Sequence, residues 1–220
     1  MTENPPDRVP SLSNVDLHYY YPNRMGRVLL LALEDVVGHN GLRALLKLAG
    51  QESYAQSPPP GTSDRQFPFE VVGGLTQALV DMYGPRGARG VALRVGRVCF
   101  KYGIREYGPM MGVAELTFQL LPLSIKLERG ARAFADLFNH HSDQVVRLQE
   151  TPDALYWRIE RCPVCWGVEA ERPVCHIAVG LLQESLFWLS GGKTFQVEEE
   201  ACVASGGEAC IIAINKKPLD

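Results

Sequence analysis

Apolar residues recur at helical spacing through the first two thirds of the chain, and most of these stretches stop at a glycine. Spacings of three and four residues place the apolar side chains on one face of a helix. Glycine ends such patterns because it readily adopts the left-handed backbone of a helix C-cap, and proline does so because it lacks an N–H. The predicted helices are Met25–Val37 before Gly38, Gly41–Ala49 before Gly50, Glu70–Tyr83 before Gly84 and Pro85, and Ala88–Tyr102.

A further apolar segment, Val113–Phe138, is interrupted by Pro122. The proline predicts either two helical pieces or one kinked helix. The segment is followed by the adjacent histidines His140 and His141. Neighbouring residues on a helix point about 100° apart, so these two imidazoles do not converge easily on one ion. A solvated helix end is the preferred interpretation of the pair.

The pattern changes after Asp143 to the alternation that is typical of strands. In the predicted strand Ala154–Arg161, the side chains of Leu155, Trp157 and Ile159 share one face. The other predicted elements are strand Gln144–Gln149, helix Val174–Leu189 before Gly191 and Gly192, and strands Thr194–Val203 and Ala209–Asn215. The predicted helices lie mainly in the N-terminal part of the chain, and the predicted strands lie in the C-terminal part. This order predicts an α+β fold, with N-terminal helices packed on a mainly antiparallel four-stranded C-terminal sheet.

Two polar, proline-rich stretches bear on the domain organisation. Residues 1–20 contain Pro5, Pro6 and Pro10 without periodicity and are predicted to form a flexible tail. Residues 57–65 predict an exposed loop or linker. The remainder, residues 21–220, is expected to form a single domain, because a chain of 220 residues can bury one large core.

The overall composition is that of an ordinary globular protein, with 46% hydrophobic residues, 21% charged residues and a net charge of -3. This charge gives no indication of a nucleic-acid partner. The N-terminal residues lack the cationic start and apolar stretch of a secretory signal, so we expect a cytoplasmic protein whose thiols are reduced. The longest aliphatic run, Val28–Leu33, is far below the roughly 20 residues of a transmembrane helix.

The cysteines carry the clearest chemical signal, because five of the six lie in the last third of the chain. Thiolates joined by a carboxylate suit a divalent ion such as zinc, whose structural sites have four S, N or O donors. Iron–sulfur ligation, a redox-active Cys-x-x-Cys pair and buried thiols without metal are the alternatives. The candidate donors are Cys162, Cys165, Cys175, Cys202 and Cys210, with Glu199 three residues before Cys202.

Glu199 is the least secure of these candidates on geometric grounds. Residues three apart on a regular strand point to opposite faces of the sheet. Glu199 and Cys202 therefore diverge unless a bulge or the end of the strand lies between them. Cys202 and Cys210, in contrast, flank the glycine-rich reversal at residues 205–208 and can face each other. Cys99, on the apolar side of its predicted helix, is interpreted as a core residue.

The segment from Ala154 onwards resembles the vinyl-4-reductase domain superfamily, through its Cys-Pro-Val-Cys run, CHIAVG at Cys175–Gly180, and EEEACVASGGEACIIAI. That group is related to bacteriochlorophyll 4-vinyl reductase, to aromatic-sensing domains of bacterial activators and to subunits of vesicle-tethering complexes. The resemblance extends over roughly residues 24–218, but its specific motifs lie in the last third.

The resemblance implies a zinc site at Cys175, Glu199, Cys202 and Cys210, which match the donors of the aromatic sensors. The spacing from Cys175 to Glu199 is about one residue longer than in those sensors. Cys162 and Cys165 are a departure, similar to the stand-alone archaeal and photosynthetic members, and either replace or join the other ligands. An iron–sulfur cluster is the alternative cofactor.

The resemblance also implies a pocket for an aromatic, tetrapyrrole or lipid-like molecule, with Trp157 as a candidate ligand-binding residue. Ordinary core packing is the plainer interpretation of Trp157. We expect a ligand-binding or sensor protein rather than an enzyme. It is expected to form a homodimer and, if it signals, to do so through a separate protein partner. The alternatives are a vinyl reductase in (bacterio)chlorophyll biosynthesis and an assembly subunit. No nucleotide-binding signature supports the reductase, so it would need a cluster, a flavin or a partner.

Overall fold

A computed structural model describes residues 18–111, 118 and 120–220 of the chain. The predicted flexible tail lies largely outside the described residues, as does the first part of the predicted Val113–Phe138 segment. The elements are β1 Tyr20–Pro22, α1 Asn23–Leu48, α2 Ser53–Gln56, β2 Arg65–Pro68, α3 Phe69–Met111, α4 Leu123–His141, β3 Val145–Glu150, β4 Ala154–Arg161, α5 His176–Ser190, β5 Phe195–Ala201 and β6 Cys210–Pro218. Short 3₁₀ turns lie at Pro163–Cys165 and Val203–Ser205.

Two glycines divide the long helices where the sequence predicts helix ends. Gly38 has φ 77° and ψ 166° inside α1, and Gly84 has φ 67° and ψ 165° inside α3. Both positions lie in the region of positive φ that glycine adopts without steric cost. Helices α1 and α3 are therefore each two helical pieces that meet at a kink, which confirms the predicted ends at Val37 and Tyr83.

The C-terminal sheet has the strand order β3-β4-β6-β5, and every neighbouring pair is antiparallel. Central strand β4 places Trp157 opposite Leu148 of β3 and opposite Ile212 of β6. The buried face of the sheet carries Leu155, Trp157 and Ile159, as the alternation predicts. The helices pack over this face, so the expected α+β architecture is confirmed.

A second, two-stranded sheet of β1 and β2 was not part of the sequence prediction. These strands have three and four residues, too few to show a period of two. They are tied to the start of β3 through Asp143, whose carboxylate accepts hydrogen bonds from the Tyr20 amide at 2.9 Å and from Arg65 Nη1 at 2.8 Å.

Helices α3 and α5 cross at two glycines. A Cβ atom at Gly96 of α3 would lie 2.0 Å from the carbonyl oxygen of Ile177, and one at Gly180 of α5 would lie 2.1 Å from that of Leu93. Real side chains do not approach backbone so closely, so the two helices pack backbone to backbone here. This contact fixes the N-terminus of α5 over the sheet. Within the described ranges, no helix is both long and apolar enough to cross a bilayer.

Candidate metal centre and adjoining cavity

Four chain segments meet at one end of the C-terminal sheet. Ile159 of β4 pairs with Cys210, the first residue of β6, so the chain that leaves β4 runs past the start of β6. Ala201, the last residue of β5, pairs with Ile211 of the same strand, and this places Cys202 beside Cys210. Cys175 is the N-cap residue of α5, which packs over the sheet. The antiparallel register thus brings together cysteines that are far apart in the chain.

The five C-terminal thiols form one buried cluster. Each of these cysteines is at most 3% exposed, and none of the six cysteines is in a disulfide. Cys175 lies at the centre of the cluster. The Sγ–Sγ distances are 3.4 Å for Cys162–Cys175, 3.4 Å for Cys165–Cys210, 3.6 Å for Cys175–Cys202, 3.6 Å for Cys175–Cys210 and 3.8 Å for Cys202–Cys210.

Glu199 reaches the same cluster because β5 is irregular near its end. The register of β5 on β6 shifts between Glu199 and Ala201, and the strand stops before Cys202. This is the kind of irregularity that lets residues three apart point to the same side. One carboxylate oxygen of Glu199, Oε2, accepts a hydrogen bond from the Cys175 amide at 2.8 Å. The other, Oε1, is buried and has no hydrogen-bond partner among the described residues.

Burial and close contact shift the acidity of these groups. Desolvation, with the nearby Cys202 thiol as a second cause, raises the pKa of Glu199 to about 9. Hydrogen bonds from other thiols, that of Cys162 foremost, lower the pKa of Cys165. Two backbone features favour negative charge here: the amide of Val203 donates to Cys210 Sγ at 3.4 Å, and the cluster adjoins the N-terminus of α5. In contrast, the pKa of the Cys162 thiol is raised foremost by Cys165, and the pKa values of Cys175 and Cys210 are raised foremost by Cys162. The thiols of the cluster therefore differ in acidity.

The candidate donors fall into two groups of four, and in each group the ligand atoms lie within 4.8 Å of one another. One group matches the set that the sensor resemblance implies, and the other contains both cysteines of the Cys-x-x-Cys pair. The groups are Cys175, Glu199, Cys202 and Cys210, and Cys162, Cys165, Cys175 and Cys210. Cys99 lies elsewhere in the core, where burial raises its thiol pKa to about 12. His140 and His141 end α4 and belong to neither group.

The Cys162–Cys165 turn is held against the N-terminal half of the fold. Trp166, directly after it, packs edge-on against Tyr19 at 5.2 Å and against Phe69 at 5.9 Å between ring centroids. The carbonyl oxygen of Trp166 lies over Gly73 of α3, where a Cβ atom would be 1.9 Å away. Only glycine at position 73 permits this approach, so the Cys162–Cys165 turn and α3 are positioned together.

An apolar cavity of about 110 Å³ lies between the helices and the sheet, next to the cysteine cluster. Its lining comes from α1, α3, α4, β4 and α5, and Trp157 is part of it. Cys162, Pro163 and Val164 also line the cavity. The same turn therefore supplies a wall of the cavity and a sulfur of the candidate metal centre.

A few polar groups of the cavity wall come from distant parts of the chain. The Tyr21 hydroxyl donates to Gln144 Oε1 at 2.5 Å, whereas the buried Tyr107 hydroxyl has no partner among the described residues. Sequence reasoning missed these three residues, because each looks like an ordinary core or loop residue in its own segment. Only the folded chain brings them to one cavity.

Comparison with known proteins agrees with the sequence resemblance. Residues 155–216, which include β4, the cysteine turn, α5, β5 and β6, match the family model of the vinyl-4-reductase domain. The C-terminal part of this chain is thus similar to the vinyl-4-reductase domain over the matched residues. It contains all six candidate donors and Trp157. None of the curated proteins matches the chain significantly.

Solved structures extend the comparison beyond the vinyl-4-reductase domain to most of the chain. The H-NOX protein from K. algicida, described as Fe(II) unliganded, aligns with a TM-score of 0.55 and 14% identity over 89% of this chain and 96% of that chain. The H-NOX protein from S. oneidensis in the Fe(II)NO ligation state aligns with a TM-score of 0.51 and 16% identity over 88% of this chain and 99% of that chain. At such identities the likeness concerns the fold alone.

Proposed function

We propose that this chain is a binding or sensor protein for a hydrophobic small molecule, with a structural zinc centre beside its ligand cavity. One observation carries the proposal: the Cys162–Val164 turn lines the apolar cavity, while Cys162 Sγ lies 3.4 Å from Cys175 Sγ. A molecule in the cavity therefore touches the segment that supplies metal ligands. The vinyl-4-reductase domain and the H-NOX-like fold are in keeping with such a role.

The size of the cavity indicates a ligand of about one aromatic ring. An engineered apolar cavity of about 150 Å³ binds benzene or xenon, and the cavity here is of about 110 Å³. Its lining is dominated by aliphatic and aromatic side chains, among them Leu29, Phe100 and Trp157. Burial of a nonpolar molecule in such a site is favourable because it removes apolar surface from water.

A haem or another tetrapyrrole does not fit this cavity as it stands. Such a molecule has four pyrrole rings, and the volume suits one ring. None of the described residues that line the cavity is a histidine, although Met25, Cys99 and Tyr107 belong to it. The cavity therefore offers no space for a four-ring cofactor, and the reductase alternative gains no support from it.

The cysteine cluster, in contrast, fits zinc. With Zn–S bonds of about 2.3 Å, the sulfurs of a tetrahedral site are about 3.8 Å apart. The observed separations of 3.4–3.8 Å are close to that value. The unpartnered Glu199 Oε1 is a further free ligand atom. An iron–sulfur cluster fits less well, because its cysteines bind different irons and lie further apart.

Bound zinc would join the start of α5 to the end of β5 and the beginning of β6. Cys175 supplies the ligand at the helix, and Glu199, Cys202 and Cys210 supply the ligands at the strands. The Cys162–Val164 turn can transmit changes between cavity and cluster, because all three residues line the cavity and Cys162 is also a member of the cluster. This arrangement suits a sensor, in which a small shift at the ligand is passed to a packed element.

Calorimetric titration with toluene, together with thermal unfolding, tests the ligand part of the proposal. We expect saturable binding and a rise in melting temperature. Ala178→Leu, which adds bulk to the cavity wall, is expected to weaken toluene binding at least tenfold. Ala55→Leu, on the exposed face of α2, is the matched control and should bind like the unmodified protein. Absence of saturable binding, or equal binding by both variants, would contradict the cavity assignment.

Metal analysis of protein purified without added metal tests the zinc part. We expect bound zinc in the unmodified protein and in Cys99→Ser, whose thiol lies outside the cluster. Cys175→Ser is expected to lose most of it, because Cys175 belongs to both donor groups. Metal-free protein, or full zinc content in Cys175→Ser, would refute the assignment.

A further inference from the structure

The metal centre has more donors than one tetrahedral ion can use. Six side chains supply ligand atoms, and a structural zinc takes four. The two groups of four donors overlap in two members, Cys175 and Cys210. Each group also has two members of its own, Cys162 and Cys165 in one and Glu199 and Cys202 in the other. Six donors with two in common are the ligand set of two tetrahedra that share an edge.

We propose that this centre binds two divalent metal ions, bridged by the thiolates of Cys175 and Cys210. Cys162 and Cys165 complete the ligands of one ion, and Glu199 and Cys202 complete those of the other. The inference rests on the proposed zinc centre and adds a second ion to it.

The sulfur separations support the shared edge. Cys175 and Cys210 are 3.6 Å apart, which is close to the edge of about 3.8 Å in a tetrahedral zinc thiolate site. Cys202 lies 3.6 Å from one of these sulfurs and 3.8 Å from the other. In the other group, Cys162 is 3.4 Å from Cys175, and Cys165 is 3.4 Å from Cys210. Both donor groups therefore have the dimensions of a metal site.

Each side of the shared edge contains groups that a single ion would leave without a role. An ion held by the four cysteines of the first group leaves Glu199 Oε1 buried without a hydrogen-bond partner. Such an atom is costly, because burial removes its water without replacement. An ion held by the second group leaves the buried Cys162 and Cys165 thiols beside metal-bound sulfurs. Two ions give every donor a ligand role.

Two backbone amides contribute to the stabilisation of ligand charge at this centre. The Val203 amide donates to Sγ of Cys210, one of the two shared ligands, and the Cys175 amide donates to Glu199 Oε2.

The number of metal ions per chain is the direct test. The protein is loaded with zinc, washed free of excess metal and analysed by mass spectrometry of the metal, with chain concentration from amino-acid analysis. We expect two zinc ions per chain in the unmodified protein and in the Cys99→Ser control. The Cys162→Ser, Cys165→Ser double variant and the Cys202→Ser variant should each fall to one, with circular dichroism as the check on folding.

Cadmium-113 spectroscopy of the cadmium-loaded protein tests the bridge. Two resonances of different shift are expected, because one ion has four sulfur ligands and the other has three sulfurs and an oxygen. Mutual splitting of the two resonances is expected from the shared thiolates. Two resonances without splitting would overturn the bridge.

The remaining outcomes separate this inference from the proposed zinc centre. One zinc per chain in the unmodified protein would overturn the second ion and leave the proposed zinc centre standing. Metal-free protein would overturn both, and so would iron with acid-labile sulfide in protein purified without added metal.

Discussion

The backbone of Gly96 in α3 lies directly against the carbonyl oxygen of Ile177 in α5, so closely that a Cβ atom at position 96 would be 2.0 Å from that oxygen. Ile177 follows Cys175 by two residues, and Cys175 is the N-cap of α5 and a candidate metal ligand. The absence of a side chain at Gly96 thus lets α5 approach α3 this closely. The position of the candidate ligand Cys175 depends on a helix crossing that contributes no candidate ligand.

Gly96→Ala is expected to destabilise the protein markedly. The added methyl group collides with backbone, which cannot move aside as a flexible side chain can, so we expect a loss of about 2–4 kcal/mol. Gly90→Ala in the same helix is the matched control, since a Cβ atom there meets nothing within 4 Å. That variant should be neutral or more stable by up to about 1 kcal/mol, because alanine favours helix. Chemical unfolding measures both, and equal stability of the two variants would contradict the close crossing.

Two tyrosines of the cavity wall are expected to respond in opposite directions to loss of the hydroxyl group. Tyr21→Phe removes the donor to Gln144 Oε1 and leaves a buried acceptor unpaired, at a cost of about 1–3 kcal/mol. Tyr107→Phe removes a hydroxyl that has no partner among the described residues, so the variant should be as stable as the unmodified protein or more so. Thermal and denaturant unfolding of both variants measure the difference. A destabilised Tyr107→Phe would indicate a partner for this hydroxyl.

Asp143 is expected to stabilise the junction of the two sheets. Its carboxylate accepts hydrogen bonds from the Tyr20 amide and from Arg65, and it is one quarter exposed. We expect Asp143→Ala to lower the free energy of unfolding by about 1–2 kcal/mol, below the full value of a buried charged hydrogen bond. Glu128→Ala, which breaks an exposed pair with Arg132 on α4, should cost only about 0.3–0.5 kcal/mol. Similar losses in both variants would contradict the role given to Asp143.

Metal removal is expected to unfold or loosen the C-terminal region. A ligand at a hundred times its dissociation constant stabilises the folded chain by about 2.7 kcal/mol, and structural zinc commonly exceeds that. A chelator should therefore lower the melting temperature and restore thiol reactivity with Ellman's reagent. Because thiols must lose protons to bind metal, zinc affinity should fall as the pH falls. A melting temperature that is insensitive to chelator would argue against a structural metal.

The sequence could predict those parts of the fold that local chemistry determines. Gly38 and Gly84 end helical patterns because each has a positive φ, and the alternation around Trp157 follows from a strand with one buried face. Strands β1 and β2 were not predicted, because their pairing depends on contacts between distant segments, such as the hydrogen bond from the Tyr20 amide to the Asp143 carboxylate.

The candidate site was predictable in its members but not in its arrangement. Cysteine spacing and the family resemblance indicate the six donors. The overlap of two donor groups at Cys175 and Cys210 follows from the pairing of β4 and β5 with β6, which no local pattern encodes. The cavity likewise depends on Tyr21, Tyr107 and Gln144, which come from three separate segments.

All six candidate donors of the proposed metal centre lie beyond Arg161, and the last of them, Cys210, begins β6. The ribosome synthesises helices α1, α3 and α4 long before this strand. A zinc ion therefore has no complete set of these donors on a nascent chain that stops short of Cys210. Metal binding at the proposed centre would consequently report on chains whose synthesis has passed Cys210. In a zinc-starved cell, we expect full-length chains without bound zinc to accumulate with folded helices. Their degradation is expected to begin at the C-terminal sheet, which then lacks the metal.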